Sequence, residues 1–304
     1  MSNLAPIVLF VYNRPWHTTN TLNYLTRNNL AKDSFLYIFS DGYMDDDSQE
    51  IKDKIKDVRK IIRLKQWCKN VKIIELESNI GFYNSMINGL SYIFTHFDKA
   101  IILEDDIVTS KGFLNYMNCA LEMYKYDDKV GGISGYSYFV SQDESYFLSY
   151  PCSWGWGTWK RVWDEVVFDS SHLLKRLDNK KEIINFNIYK KSGLYKRLCD
   201  HNDRAIQSWS IQFYCIQFLQ RRLFLYPRSS MVLNIGFDEG VHCNGAKRSD
   251  LTEYNYLLNK VELRRIDIAE KRKNRNLLVK YFKSLRTKLL TRIIKKIKRT
   301  LLYS

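Results

Sequence analysis

The sequence predicts an α/β fold with a mostly parallel central sheet, followed by a basic helical tail. Two observations indicate the sheet. Short runs of β-branched and aromatic residues alternate with helical patterns through residues 1–126, which is typical of strand–helix–strand units. Several of these runs end in polar residues, at the edge where open sheets bind ligands. The tail is indicated by charge, because residues 260–304 contain 16 Lys and Arg against 3 Asp and Glu in a chain of net charge +15.

Each element follows from a local pattern. The second helix, for example, repeats Ile51, Ile55, Val58 and Ile62 at helical spacing. The predicted strands are Ile7–Tyr12, Phe35–Ser40, Val71–Leu76, Ala100–Leu103, Val130–Gly135, Leu223–Tyr226 and Ser230–Leu233. The predicted helices are His17–Arg27, Asp47–Trp67, a segment from Gly81 through Phe94, and Arg204–Gln220. The pattern changes beyond Tyr126, and an aromatic segment, Tyr146–Trp163, follows the strand Val130–Gly135.

Composition and spacing predict one main domain, 1–257, with halves 1–126 and 127–257, and a tail, 258–304. With 13 Gly and 4 Pro the chain is neither collagen-like nor of low complexity. Its six cysteines are far apart, which argues against a disulfide framework or a zinc ribbon and favours a reducing compartment. No stretch reaches the roughly 18 to 20 apolar residues of a membrane span, and the first residues do not resemble a signal peptide. We therefore expect a cytoplasmic protein.

The acidic triplet Glu104-Asp105-Asp106 is the strongest local signal for chemistry. It directly follows an apolar strand and is followed by Ile107. Adjacent carboxylates at a strand end can hold a hard divalent cation, which would bridge a diphosphate. The alternative is a solvated turn that caps the helix beginning near Lys111. Because apolar residues flank the triplet on both sides, we favour the metal.

Three further loops should converge beside this triplet, because parallel strands bring their carboxyl ends together. They carry Asn13 and Arg14, Asp41, and Asn79 with Gly81. Together they could form a nucleotide pocket in which Asp41 accepts from a base N–H and Arg14 faces phosphate. A lone Asp-Gly is usually only a turn. No dinucleotide fingerprint or Walker-type loop is present, which argues against dehydrogenases and phosphate-loop ATPases.

The aromatic segment suggests a substrate wall. Trp154, Gly155 and Trp156 would supply ring faces for a sugar and a close backbone approach. Trp159 and Trp163 are instead predicted to be core residues. Further along, Asp238 and Glu239 are possible general bases, and His242 is a possible metal ligand or phosphate contact.

The tail has the pattern of a basic amphipathic helix. Its apolar residues recur every three or four positions, with Lys and Arg between them. They are Leu278, Phe282, Leu285, Leu289, Ile293 and Ile297. Such a helix can lie on an anionic membrane surface. Packing on the core or on a partner, and nucleic-acid binding, are the alternatives; we favour the membrane and expect no nucleic acid.

Taken in order, these motifs resemble bacterial family-two-like sugar transferases with the glycosyltransferase A (GT-A) fold, found in surface-polysaccharide clusters. The resemblance covers roughly the first 245 residues. The stretches that carry it are Pro6–Pro15, Asn79-Ile80-Gly81, Leu103–Asp106, Ser153–Lys160, Ser208-Trp209, Leu225-Tyr226-Pro227, Asn234-Ile235-Gly236 and Val241-His242-Cys243.

The resemblance implies transfer of a sugar from a nucleotide diphosphate donor, a UDP-sugar by preference, with Mn²⁺ or Mg²⁺ as the cofactor. Asp106 would be the direct metal ligand and Asp105 a second or water-mediated one, while Glu104 would support the donor ribose or sugar. Asp41 would read the uracil, and His242 would contact the metal or diphosphate. A glycan acceptor, lipid-linked in the usual setting of this family, would make the enzyme peripheral on the inner face of the membrane.

The resemblance leaves the general base open. Related enzymes often place an acidic residue near a Trp in the late helix, whereas this chain has Gln207-Ser208-Trp209-Ser210 there. An inverting enzyme would need Asp238, Glu239 or Asp164, in that order, whereas a retaining one needs no dedicated base. Two alternatives remain, a nucleotidyltransferase and a non-enzymatic basic protein that binds membrane or nucleic acid.

Overall fold

The computed structural model describes residues 4–188, 192–236 and 251–284. Its strands are β1 (Ile7–Val11), β2 (Phe35–Ser40), β3 (Asn70–Glu75), β4 (Lys99–Glu104), β5 (Ile107–Thr109), β6 (Val130–Ser134), β7 (Ser145–Leu148), β8 (Trp156–Trp159), β9 (Leu223–Pro227) and β10 (Val232–Asn234). Its helices include α1 (Pro15–Leu25), α2 (Gln49–Ile61), α3 (Gly81–Phe94), α4 (Phe113–Met123), α5 (Lys160–Trp163), α6 (Ser170–Arg176), α7 (Lys180–Phe186), α8 (Leu194–Asn202) and α9 (Trp209–Leu219). Residues 272–284 are also helical.

Eight strands form one sheet in the order β3-β2-β1-β4-β8-β6-β9-β7. The pairs among β3, β2, β1 and β4 are all parallel, and so is β6 with β9. The remaining pairs are antiparallel, through β8 and β7. The predicted fold class, α/β with a mostly parallel central sheet, is confirmed.

The centre of the sheet is buried on both faces, as a parallel sheet requires. Every residue of β1, with sequence IVLFV, is buried. In this half of the chain most predicted elements are close to the observed ones, but α2 ends at Ile61 rather than at the predicted Trp67, and β5 was not predicted. The first helix begins at Pro15, two residues before the predicted start, because proline is well suited to the first turn of a helix. The second begins after Ser48, whose side chain accepts a hydrogen bond from the Ile51 N–H.

The later half differs more from the predictions. The predicted helix Arg204–Gln220 is wrong at its start, because Arg204 has a positive φ of 60° and α9 begins only at Trp209. The aromatic segment contains two strands that were not predicted, β7 and β8. Trp159 lies in β8 and Trp163 in α5, and both are buried as predicted.

The described part of the tail packs on the body. The Leu258 N–H donates to the Ser230 carbonyl, and Arg265 donates to Asp127. Leu278 is fully buried, and Phe282 packs against the core. Of the predicted membrane-facing stripe, Leu278 is therefore covered by the protein itself, and Phe282 is partly buried against it. Leu285, Leu289, Ile293 and Ile297 lie outside the described residues. Within the described ranges, no helix is long and apolar enough to span a membrane.

Candidate functional site

One cavity of about 890 Å³ lies at the carboxyl ends of β1, β2 and β4. The strand-end loops form one side of it, and aromatic residues with the start of α9 form the other. The structure brings together in this cavity Asn13, Arg14, Asp41, Asn79, Gly81, Glu104, Asp105, Asp106, Trp154 and Trp156. The topological argument for convergence explains the strand-end members, since β1, β2 and β4 are neighbours in the sheet.

The acidic triplet spans the end of β4 and the turn into β5. Arg14, just before α1, pairs with both aspartates. Its Nε donates to Asp105 Oδ2 at 3.1 Å and its Nη2 to Asp105 Oδ1, while Nη1 lies 3.0 Å from Asp106 Oδ2. Such two-pronged pairing is a strong guanidinium contact. The guanidinium predicted to face phosphate therefore lies on the acidic pair. The alternative role as a helix cap is not observed, because the N-cap of α4 is Gly112.

The charges at this site influence one another strongly. Burial, together with the carboxylates of Asp106 and Asp105, raises the pKa of Glu104. Burial also raises the pKa of Asp105, and the guanidinium of Arg14 opposes that rise. Burial opposes protonation of Arg14, but the two aspartates raise its pKa above the ordinary value. The guanidinium therefore stays charged and holds together carboxylates that would otherwise repel.

Asp106 has an oxygen that is suited to a ligand. Its Oδ1 is buried and has no hydrogen-bond partner within the described ranges. Carboxylate oxygens are the donors that Mg²⁺ and similar hard cations prefer, so this atom fits the predicted metal. Both oxygens of Asp105 already accept from Arg14. In the part of the chain that is described, no group of three His, Cys, Asp or Glu residues forms a metal cluster.

Gly236 lies against this pair and was not singled out as a site residue. A Cβ at this position would lie 2.0 Å from Asp106 Oδ2 and 3.0 Å from Arg14 Nη1. The Gly236 N–H donates to Asn234 Oδ1, and the Ile235 N–H donates to the Asp106 carbonyl. The Asn-Ile-Gly motif after β10 therefore fixes the acidic turn. Gly236 could have been found from the sequence, because the Asn234-Ile235-Gly236 motif is one of the stretches that carry the resemblance.

The loops after β2 and β3 are joined by buried polar groups. Asp41 Oδ1 accepts from the backbone N–H of Gly42 and Ile80, at 2.9 and 3.0 Å. Asn79 donates to the Gly42 carbonyl and accepts from the Gly81 N–H. Gly81 has φ of +77°, a conformation that favours glycine. These residues thus shape the pocket, and Asp41 Oδ2 accepts no hydrogen bond from the described residues.

The opposite side of the cavity is aromatic. Trp154 contacts Tyr136 edge-on, with ring centroids 4.7 Å apart. Trp156, in β8, stacks on Trp209 at 5.6 Å. Gly155 does not line the cavity; it has φ of +58°, and a Cβ there would lie 2.8 Å from Val232. Backbone conformation and close packing therefore explain why glycine occupies position 155.

Seven aromatic residues of this wall, among those that the structure describes, were not predicted as site residues. They are Tyr138, Tyr150, Trp209, Phe213, Tyr214, Tyr281 and Phe282. Tyr138 lies 5.1 Å from Tyr281 and Tyr150 lies 5.4 Å from Phe282, between ring centroids. The helical spacing of Phe282 is visible in the sequence, but no pattern in the sequence indicates that its ring lines this cavity.

The candidate bases and the late histidine lie elsewhere. Asp164 follows α5, is exposed, pairs with Lys160 at 2.7 Å and does not line the cavity. Asp238, Glu239 and His242 lie outside the described residues. The carboxylates that line the cavity, within the part of the chain described, are those of Asp41, Glu104, Asp105 and Asp106.

Comparison with solved structures gives weak similarities over most of the chain. TarS of S. aureus has a TM-score of 0.39 and 14% identity over 75% of this chain, which covers 36% of the TarS chain. UDP-glucose pyrophosphorylase complexed with UDP-glucose has a TM-score of 0.37 and 8% identity, over 75% of this chain and 91% of its own. Mouse xyloside xylosyltransferase 1 has a TM-score of 0.37 and 10% identity, over 70% and 80%.

No protein-family model matches the sequence, and no curated protein matches it. Because the identities and TM-scores are low, we base the function on the residues that line the cavity.

Proposed function

We propose that this protein is a glycosyltransferase that moves a sugar from a nucleotide diphosphate donor to a glycan acceptor. The observation that carries the proposal is one cavity with two chemically different sides. Loops at the strand ends supply charged and amide groups, and the facing wall supplies aromatic rings. A nucleotide sugar needs the first kind of surface for its diphosphate, and a sugar ring stacks well on the second.

The donor is proposed to lie along the strand ends. Asp41 Oδ2 would accept the N3–H of uracil, because Oδ1 is already bonded to two backbone N–H groups. Asn13, Asn79 and Gly81 would line the nucleoside, and Glu104 would support the ribose or the sugar. Arg14 would contact the diphosphate if one of its two aspartate pairs opens. UDP is therefore the nucleotide we propose.

Mn²⁺ or Mg²⁺ is proposed as the cofactor, held by Asp106 through the unpartnered Oδ1. Asp105 would join as a direct or water-mediated ligand only after Arg14 releases it, and His242 would be a further ligand. A bound cation would supply positive charge to the diphosphate oxygens. Arg14 places a second positive charge at the same position and remains protonated.

The acceptor is proposed to lie on the aromatic side, against Trp154 and Trp156. Its proton would be taken by Asp238 or Glu239; Asp164 ranks below them because it lies outside the cavity. We further propose a lipid-linked acceptor in surface-polysaccharide synthesis. The basic sequence beyond residue 284 would contact an anionic membrane surface, which supports a cytoplasmic, peripheral location.

A thermal-shift titration tests the donor site. The full chain is titrated with UDP, GDP, CDP and TDP, each with and without Mn²⁺. We expect UDP with Mn²⁺ to raise the unfolding midpoint by a few degrees, since at 100 times Kd a ligand adds about 2.7 kcal/mol of stability. No shift with any nucleotide would contradict the proposal. Formation of a nucleotide sugar from UTP and a sugar 1-phosphate would indicate a nucleotidyltransferase instead.

A further inference from the structure

Two arginines line the cavity, and their partners differ. Arg14 is bonded to Asp105 and Asp106, as described above. Arg197, on α8, makes no ion pair with any described residue; its Nε donates to Ser208 Oγ at 3.3 Å, and its two Nη groups have no partner in the same ranges. The cavity therefore contains a guanidinium whose charge is not matched by a carboxylate of the described chain.

The start of α9 lies beside this guanidinium. Ser208 is the N-cap residue, but its side chain makes no capping hydrogen bond to the first turn. Its Oγ lies instead between Arg197 Nε and Ser210 Oγ, both at 3.3 Å. The first N–H groups of a helix have no acceptor within the helix and carry partial positive charge. Residues 208–211 line the cavity, so this positive end borders the same space.

A buried donor beneath the helix start points independently to a ligand. Trp156 is 2% exposed, and its Nε1 has no hydrogen-bond partner among the described residues. Trp156 stacks on Trp209 and lines the cavity with it. A buried N–H without an acceptor is unfavourable. An acceptor oxygen that reached Nε1 would satisfy this donor.

We propose that Arg197, the start of α9 and Trp156 Nε1 form a subsite for an anionic group, a carboxylate or a phosphate ester, carried by the acceptor. This inference rests on the proposed function, because it divides the cavity between a donor and an acceptor. Guanidinium, hydroxyl and indole N–H groups are all donors to such an anion. Carboxylate and phosphate present the same acceptor chemistry to them.

The position of Arg197 assigns the anion to the acceptor. Arg197 lines the cavity together with Tyr150, and its Nε donates to Ser208 at the start of α9. Tyr150 contacts Phe282 and Tyr214 in the aromatic wall. The positive charge that serves the donor diphosphate is that of Arg14, at the strand ends. The charge of Arg197, which pairs with no carboxylate of the described residues, is therefore left for the acceptor.

Binding of three small probes tests the subsite. Dissociation constants are measured by calorimetry for methyl β-D-glucuronide, glucose 6-phosphate and methyl β-D-glucoside, with the full chain, with and without UDP and Mn²⁺. We expect at least one anionic probe to bind roughly tenfold more tightly than the neutral glucoside, since a charge-assisted hydrogen bond adds about that factor. The probe that gains identifies the anion as carboxylate or phosphate. Equal binding of all three probes would overturn the inference.

Substitution at two neighbouring residues supplies the control. Arg197→Gln should remove the preference for the anionic probe, and Arg197→Lys should retain part of it. Lys196→Gln removes the same charge one residue away, from an exposed side chain paired with Asp200 at 2.6 Å, and should leave the preference intact. A preference that survives Arg197→Gln would overturn the inference.

The UDP dissociation constant separates this inference from the function on which it rests. In Arg197→Gln we expect it to stay within about twofold of wild type. A tenfold loss of UDP affinity would overturn the inference by assigning Arg197 to the donor. If wild type binds no nucleotide yet keeps the Arg197-dependent preference, the donor site fails and the anion subsite stands.

Discussion

The two sides of the cavity are built in different ways. The strand-end side comes mainly from residues 10–106, where neighbouring parallel strands bring short loops together, with Asn234 and Gly236 added beside the acidic turn. The aromatic side combines residues 138–156, 194–214 and 281–282, which are distant in sequence. Local sequence motifs can predict the strand-end side, because its geometry follows from neighbouring parallel strands. They cannot predict the aromatic side, because packing of distant segments brings its rings together.

The comparison implies that changes on the strand-end side should alter donor binding, and changes on the aromatic side should alter acceptor binding. We expect the largest effect from Asp106→Asn, which keeps the shape of the side chain and removes its charge. Transfer should fall about 100-fold or more, as when a charged group at a reacting diphosphate is lost. UDP binding should no longer respond to Mn²⁺. Steady-state rates and metal titrations of UDP binding measure this.

Asp53→Asn on α2 is the matched control, since Asp53 is exposed and does not line the cavity. It should behave as wild type. Metal dependence that survives in Asp106→Asn would remove the acidic triplet from the proposed donor site.

The next effect in size is expected for Gly236→Ala. The added methyl group would occupy the position of Asp106 Oδ2, 2.0 Å away, and would separate Asp106 from Arg14. UDP affinity in the presence of Mn²⁺ should fall roughly tenfold or more, because Asp106, the proposed metal ligand, is displaced. Calorimetric titration with UDP and Mn²⁺ measures the change.

Gly193→Ala is the control for a glycine-to-alanine change without a steric clash. Gly193 has φ of +73° but open space around its Cβ position, so alanine there costs about 1 kcal/mol of stability and should leave UDP binding unchanged. Equal UDP binding by Gly236→Ala and wild type would show that Gly236 has no role in the donor site.

Asp41→Asn should have an intermediate effect on UDP affinity, confined to recognition of the uracil ring. The amide can keep the Oδ1 contacts to Gly42 and Ile80, but it places an NH₂ donor where Oδ2 would accept from uracil. We expect roughly tenfold weaker UDP binding with an unfolding midpoint near that of wild type. Parallel UDP and CDP titrations test this, and an equal loss for both nucleotides would argue against reading of the base by Asp41.

Phe282→Ala should have the smallest effect, and on the other side of the cavity. Removing the ring should raise the acceptor KM a few-fold, since an aromatic contact contributes about 0.5–1.5 kcal/mol, and should leave UDP affinity unchanged. Lys280→Ala, an exposed change in the same helical segment, is the control. A loss of UDP affinity in Phe282→Ala with no change in acceptor KM would contradict the division of the cavity.

The first half of the fold could be predicted because its signals are local. The strand Phe35–Ser40 and the helix Gly81–Phe94 have the bounds that the sequence indicated. Their apolar runs are long enough for periodicity to identify them, and Gly81 marks a turn. The convergence of Asn13, Asp41 and Asp106 followed from strand order alone.

The second half could not be predicted in the same way. β8 has the sequence WGTW, which does not alternate simply between apolar and polar residues. Its second residue is glycine because a Cβ at Gly157 would lie within 3.1 Å of Met117, Leu121 and the Ala100 carbonyl. Helices α6 and α7 have only seven residues each, too few for a clear helical repeat. The tail shows that an apolar face can be predicted from spacing while the surface that covers it cannot. Its spacing indicates an apolar face at Leu278 and Phe282 but not whether membrane or protein covers it.

The position of bound UDP shows whether the strand-end side of the cavity is the donor site. A crystal structure of the full chain grown with UDP and Mn²⁺ should show uracil beside Asp41 and Asn79. The diphosphate should lie at Asp106 and Arg14, and the aromatic side near Trp154 should remain open for an acceptor. UDP bound among the aromatic rings, or outside this cavity, would contradict the account.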